Sequence, residues 1–159
     1  VNIDPARVHI PRGDALDPEE EARRYEELLN QHGPITAQVL GIGSNAHIGF
    51  NEPGTPFERR THVTRLAEET RKANAAEFGS WENVPEEAIT VGIANILESQ
   101  EVLIMAKGAS KAEAVRLTVE EQPTPDVPAS ALQMHSSVEM FVDRQAASRL
   151  RADSIVHRR

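Results

Sequence analysis

The stretch Gly41-Ile42-Gly43-Ser44-Asn45-Ala46-His47-Ile48-Gly49-Phe50-Asn51-Glu52-Pro53 limits what this chain can fold into more than any other segment. It follows an apolar run, residues 35–42, that reads as a buried strand. Three glycines, one histidine, one carboxylate and two carboxamides then crowd into a segment too irregular for a helix. A polar loop straight after a buried strand lies at the carboxyl edge of a sheet, where open α/β folds bind ligands.

Before that strand, helix signals stack up: Asp17 as N-cap, Pro18 in the first turn and Glu20 three residues past the cap. Ala22, Tyr25, Leu28 and Leu29 recur at helical spacing, and Gly33-Pro34 closes the helix. The acidic run Glu19-Glu20-Glu21 reads as a solvated first turn that suits the helix dipole. Helix followed by apolar strand, after a short extended segment over residues 7–10, indicates a βαβ unit with a parallel sheet.

Downstream, residues 61–66 alternate as a short strand. Residues 68–78 have helical composition with only a thin apolar stripe, so residues 67–80 read as a candidate lid. Residues 81–85 form a turn, and the apolar segment 89–97 is expected as a helix starting near Thr90. Residues 102–106 read as a buried strand, after which Ser110 and Glu113 form a capping box for a helix to about Glu120. The Pro-rich stretch 122–128 is a rigid connector, residues 131–134 and 138–142 read as strands, and Asp143 caps a last helix to Leu150. No repeat or internal boundary divides the 159 residues, which are expected as one domain.

Composition excludes several functions. A net charge of −8 argues against a nucleic-acid-binding face, although one basic pocket can still hold an anion. The absence of cysteine removes disulfides, thiolate metal sites and a cysteine nucleophile, and fits a cytoplasmic protein. No apolar run is long enough to span a membrane. His47, His62, His135 and His157 show no metal-ligand spacing, and no organic cofactor motif is present. The basic end His157-Arg158-Arg159 reads as a frayed terminus.

Within the loop, His47 is either a hydrogen-bonded packing residue or a proton-transfer group, and Glu52 is either its orienting carboxylate or an exposed acid. Asn45 hydrogen-bonds but cannot act as a base, and serves equally as a turn residue. Gly41 and Gly43 allow a tight turn or close ligand approach. Lys111, at a capped helix start, is either a surface lysine or a point charge for a phosphate.

The run from Gly41 to Thr55 closely resembles the signature of glucosamine-6-phosphate deaminases. Further segments resemble that family in the same order, among them Arg60-Thr61, Thr70-Arg71-Lys72-Ala73-Asn74, Gly108-Ala109-Ser110-Lys111-Ala112 and Pro128-Ala129-Ser130-Ala131-Leu132-Gln133-Met134-His135. The resemblance covers essentially the whole chain. It implies a doubly wound, mostly parallel Rossmann-like sheet with helices on both faces, and a cofactor-free enzyme of amino-sugar catabolism. The implied reaction converts glucosamine 6-phosphate and water to fructose 6-phosphate and ammonia by aldose–ketose isomerisation with deamination. It gives His47 ring opening, Glu52 and Asn45 its support, and Lys111 the substrate phosphate, with Gly41, Gly43 and Ala46 beside the substrate. Residues 67–80 fall on the family's lid.

Three departures from the pattern shape the expectation. The chain resembles the family's C-terminal portion, so the first strands, a phosphate loop and the aspartate that moves a proton between the first two sugar carbons are expected to lie outside it. Ala76 stands where the family's lid has a phosphate-binding arginine, and Ala46 where it usually has glycine. Some members are hexamers under allosteric control, so a homo-oligomer is open, but His62 and Thr64 replace the basic residues of that regulation. The rivals are a related 6-phosphogluconolactonase, against which Phe50-Asn51-Glu52-Pro53 argues, and an inactive sugar-phosphate-binding module.

Overall fold

The computed structural model describes residues 2–154, so the basic terminal triplet lies outside the described residues. Asp4 accepts a hydrogen bond from the Ala6 amide and caps a short 3-10 turn, Pro5–Arg7. Helix α1 (Pro18–His32) starts as its signals require, with the Asp17 carboxylate accepting from the Glu20 amide at 2.9 Å. It ends at Gly33, whose φ of 81° suits glycine. Ala22 is buried and Tyr25, Leu28 and Leu29 half-buried, as their spacing predicts.

The acidic first turn departs from expectation at Glu21, which is 1% exposed. Its carboxylate accepts from Arg24 at 2.6 and 2.8 Å and from the Arg12 amide at 2.8 Å. The Arg24 hydrogen bonds first, then Arg12, hold the Glu21 carboxyl at about 2. Arg24 sits one turn along the helix, but Arg12 comes from a preceding loop that no periodicity places.

Strand β1 (Ala37–Gly41) leads into the loop, and β2 (His62–Arg65) comes after it. Next come α2 (Glu68–Ala73), α3 (Ala75–Phe78), β3 (Glu87–Thr90) and α4 (Ile93–Leu97). The chain continues through β4 (Glu101–Ala106), α5 (Ala112–Glu120) and β5 (Val138–Val142). The fold is α/β. Strands β1, β4 and β5 form a parallel sheet in that order, while β2 and β3 pair antiparallel apart from it.

Strand alternation divides the parallel sheet into two faces. Leu40, Val102, Ile104 and Ala106 point into a core shared with Ile96, Val115, Ala129 and Leu132. Burying each large aliphatic side chain contributes roughly 1.5–3 kcal/mol. On the other face Val39 is 60%, Met105 52% and Phe141 54% exposed, with Gly41, Met105 and Phe141 in register across the three strands. The strand before the loop therefore forms where expected but is buried on one side only.

Five local expectations are corrected. Among the described residues no strand precedes α1, so residues 7–10 do not open a βαβ unit, and the parallel sheet starts at β1. Residues 87–90 are strand and only residues 93–97 helix, because β-branched Ile89 and Thr90 pair with β2 and Gly92 breaks the run. Ser110 makes no capping bond, since a 3-10 turn (Ala109–Lys111) precedes α5 and Glu113 pairs with Arg116 and Arg149. Residues 131–134 belong to a 3-10 helix, Pro128–Met134, begun by a proline that fixes its own φ. Asp143 does act as a cap, accepting from the Ala146 amide at 2.7 Å, but residues 144–149 form turns rather than a helix. No helix among the described residues is long and apolar enough to cross a membrane.

Candidate active site

Loop 42–52 is held by backbone before any side chain acts. The Gly43 amide donates to the His47 carbonyl at 2.9 Å and the Ala46 amide to the Gly43 carbonyl at 3.1 Å. This turn sets Ala46 at φ 65°, so the strain expected of alanine there, roughly 1–2 kcal/mol, is present. A Cβ at Gly43 would overlap the His47 ring, so a larger residue there would displace the ring. A Cβ at Gly41 would meet open space, so no tight turn or close protein contact demands glycine at that position. Fully buried Ile48 and Asn51 anchor the far end, Asn51 Nδ2 donating to the Ile48 and Val91 carbonyls at 2.9 Å each.

That turn brings Asn45, His47 and Glu52 into one chain of hydrogen bonds. Asn45 Nδ2 donates to Glu52 Oε2 at 2.7 Å, and Asn45 Oδ1 faces His47 Nδ1 at 2.8 Å. The carboxylate only accepts, so the Asn45 amide must present its oxygen to the ring. His47 Nδ1 therefore carries the proton, and the neutral ring keeps its lone pair on Nε2. Glu52 Oε2 lies 3.6 Å from His47 Nδ1, placed to stabilise an imidazolium.

The other oxygen of Glu52 meets the start of α2. Thr70 Oγ1 donates to Oε1 at 2.6 Å and the Ala67 amide at 3.2 Å. Burial acts to raise the Glu52 carboxyl, but hydrogen bonding to the His47, Thr70 and Asn45 side chains outweighs it and brings the group down to about 2. Glu52 is thus a fixed anion behind the histidine.

His47 borders a cavity of about 400 Å³, walled also by Gly41, Gly43, Thr70, Asn74 and Lys111. Lys111 stands at the start of α5, and burial pushes its ammonium below the ordinary lysine value. Asn45 and Glu52 stand behind His47 rather than on the wall. Ala46, expected beside the substrate, is 1% exposed, and its amide and carbonyl already bond Gly43 and Ala129, so it supports the loop from beneath. A second cavity, about 390 Å³, lies beside Arg60, whose guanidinium is paired with Glu26 and Glu98 and has no charge left for an anion. Among the described residues no cluster of His, Asp and Glu is arranged to hold a metal ion.

Residues 1–141 match the family described as glucosamine-6-phosphate isomerases/6-phosphogluconolactonase. The chain belongs to this family. It is 52% identical over 148 residues to glucosamine-6-phosphate deaminase 1 of Bacillus subtilis (strain 168), covering 93% of this chain and 61% of that protein. It is 51% identical over 150 residues to glucosamine-6-phosphate deaminase of Clostridioides difficile (strain 630), covering 94% of this chain and 60% of that one. Among solved structures, one described as a monomeric glucosamine-6-phosphate deaminase superposes with a TM-score of 0.89 at 53% identity, over 92% of this chain and 61% of that chain. A 6-phosphogluconolactonase from Leishmania guyanensis shares the fold, at 21% identity and a TM-score of 0.64 over 84% of this chain and 53% of that one. The chain thus spans about three-fifths of the length of these curated relatives, each named a deaminase.

Against this glucosamine-6-phosphate isomerase family background, Thr70 is the site residue that sequence reasoning missed. It is 3% exposed on a helix whose composition reads as solvated, and only the fold brings it to Glu52, eighteen residues away.

Proposed function

We propose that this chain supplies the ring-opening side, and part of the phosphate side, of a glucosamine-6-phosphate deaminase site. His47 Nε2 takes the proton of the anomeric hydroxyl as the C1–O5 bond breaks and the C1 carbonyl forms. The imidazolium then returns that proton to O5, giving the open-chain amino sugar. Asn45 holds the ring tautomer, Glu52 stabilises the transient cation, and Lys111 pairs with the 6-phosphate. The supporting observation is the order Glu52–Asn45–His47, which leaves Nε2 free beside a cavity that also contains Lys111. The relatives' names set the substrate class, and the later proton transfer between the first two carbons is assigned to no residue here.

The test is ammonia release from glucosamine 6-phosphate, measured on this chain and on the longest natural form of the protein. Ammonia from either form supports the reading. Hydrolysis of a sugar-phosphate lactone without ammonia overturns it in favour of lactonase chemistry. Binding of the sugar phosphate with turnover in neither form overturns it in favour of a binding module.

A further inference from the structure

Glu52 is bound from two directions. Its Oε2 accepts from Asn45 and faces His47, both on the loop after β1. Its Oε1 accepts from the Thr70 hydroxyl at 2.6 Å and the Ala67 amide at 3.2 Å, both in the segment that opens α2. Thr70 also lies 3.4 Å from His47 Nδ1, so this one hydroxyl touches both members of the pair. The same short helix and the residue after it supply Glu69, Ala73 and Asn74 to the cavity wall. α2 lacks a side-chain cap of its own, and Thr70 is its one buried residue.

We propose that Thr70 is a positioning residue that couples the seating of α2 on the cavity to the carboxylate of Glu52, and through it to the proton held by His47. The inference rests on the reading of His47 as the ring-opening group for its catalytic consequence, but not for the coupling itself. When α2 is seated, Oε1 holds two donors and the anion is stabilised. When α2 lifts, Glu52 loses both donors, its proton affinity rises and its carboxylate is no longer fixed in place behind His47. Coupling is reciprocal: whatever removes the Glu52 charge must loosen α2 by the same free energy. The helix that walls the cavity thereby reports its own closure to the acid–base pair.

The charged and titratable groups facing this region are His47 on the loop, Glu69 on α2 and Lys111 at the start of α5. Thr70→Val changes none of them and keeps the β-branched shape, so it isolates the hydroxyl. Carboxyl-carbon NMR of Glu52 in the intact protein is expected to show its titration midpoint moved upward by about one pH unit, tenfold in proton affinity. Thr70→Ser, which restores the donor, is expected to return it to the wild-type value. A valine variant that titrates like wild type, or a serine variant shifted as far as the valine one, overturns the proposal.

Where the valine variant fails to fold, or acid unfolding precedes the titration, Glu52→Gln supplies the second measurement. Amide exchange across α2 is expected to quicken about tenfold while β4 keeps its protection. Unchanged exchange in α2 overturns the coupling. On turnover, Thr70→Val is expected to lower kcat with KM nearly unchanged and to raise the acidic limb of the pH profile, with Thr70→Ser restoring both. A protein that releases no ammonia yet shows the NMR shift would lose the proposed reaction and keep the coupling.

Discussion

The two sides of the cavity are built to different standards. On the loop side, the polar atoms of Asn45 and Glu52 have named partners, and His47 Nδ1 is fixed by Asn45 Oδ1. On the side proposed for the phosphate, Lys111 lines the cavity, and Ala76 on α3 stands where the resemblance implies an arginine. One side has a fixed arrangement of protons, while the other offers little beyond a charge. The difference is that the histidine's hydrogen bonds close within one loop and the adjoining α2 segment, whereas an anion site draws donors from several segments.

The largest effect is expected at His47. In the longest natural form, His47→Gln should lower turnover of closed glucosamine 6-phosphate by about 10²- to 10⁴-fold, the usual worth of a positioned acid–base group. An acyclic substrate should be far less affected, and equal loss on both would remove His47 from ring opening. On the weaker side, Lys111→Ala should cost on the order of 1.5–3 kcal/mol of sugar-phosphate affinity by titration calorimetry, and Ala76→Arg should gain up to a similar amount. If Lys111→Ala leaves phosphate affinity unchanged, the cation is not in the anion site.

Acid titration sharpens the contrast from another direction. Glu52 is ionised more readily in the folded protein than its ordinary 4.5, at about 2. The folded state therefore binds fewer protons there than the unfolded one, so its contribution to stability is fully present above about pH 4.5 and is lost as pH falls through about 2. Denaturant melts of wild type and Glu52→Gln should differ most at neutral pH and converge in acid. The smallest effect belongs to the turn itself. Ala46→Gly relieves an alanine held at φ 65° but adds freedom to the unfolded chain, for a net gain of about 0.5–1 kcal/mol by thermal unfolding. Destabilisation would mean that the buried Ala46 methyl contributes more than the strain costs.

Where a signal is local, the sequence revealed the structure: Asp17-Pro18 starts α1, and the apolar run 102–106 becomes β4. The same holds for the loop, since the resemblance named His47, Glu52 and Asn45 and the fold brings them together. What was illegible depends on remote partners. Glu21 is buried because Arg12 reaches it from another segment, and Thr70 matters because α2 lands on Glu52. The segment 87–97 misled for a different reason: a mostly apolar composition without clear periodicity hides the point where Gly92 turns a paired strand into a helix. The half-exposed β1 has the same lesson, because an apolar run announces a strand but not how many of its faces are covered.

Everything assigned to His47 depends on Glu52, through Asn45, fixing its tautomer and leaving the lone pair on Nε2. Nitrogen-15 NMR of the His47 ring, near neutral pH and without ligand, measures this directly. A protonated, pyrrole-type Nδ1 and an unprotonated, pyridine-type Nε2 are expected, with the preference weakened in Asn45→Ala. A ring protonated on Nε2 instead, or a preference unchanged in Asn45→Ala, would contradict this assignment.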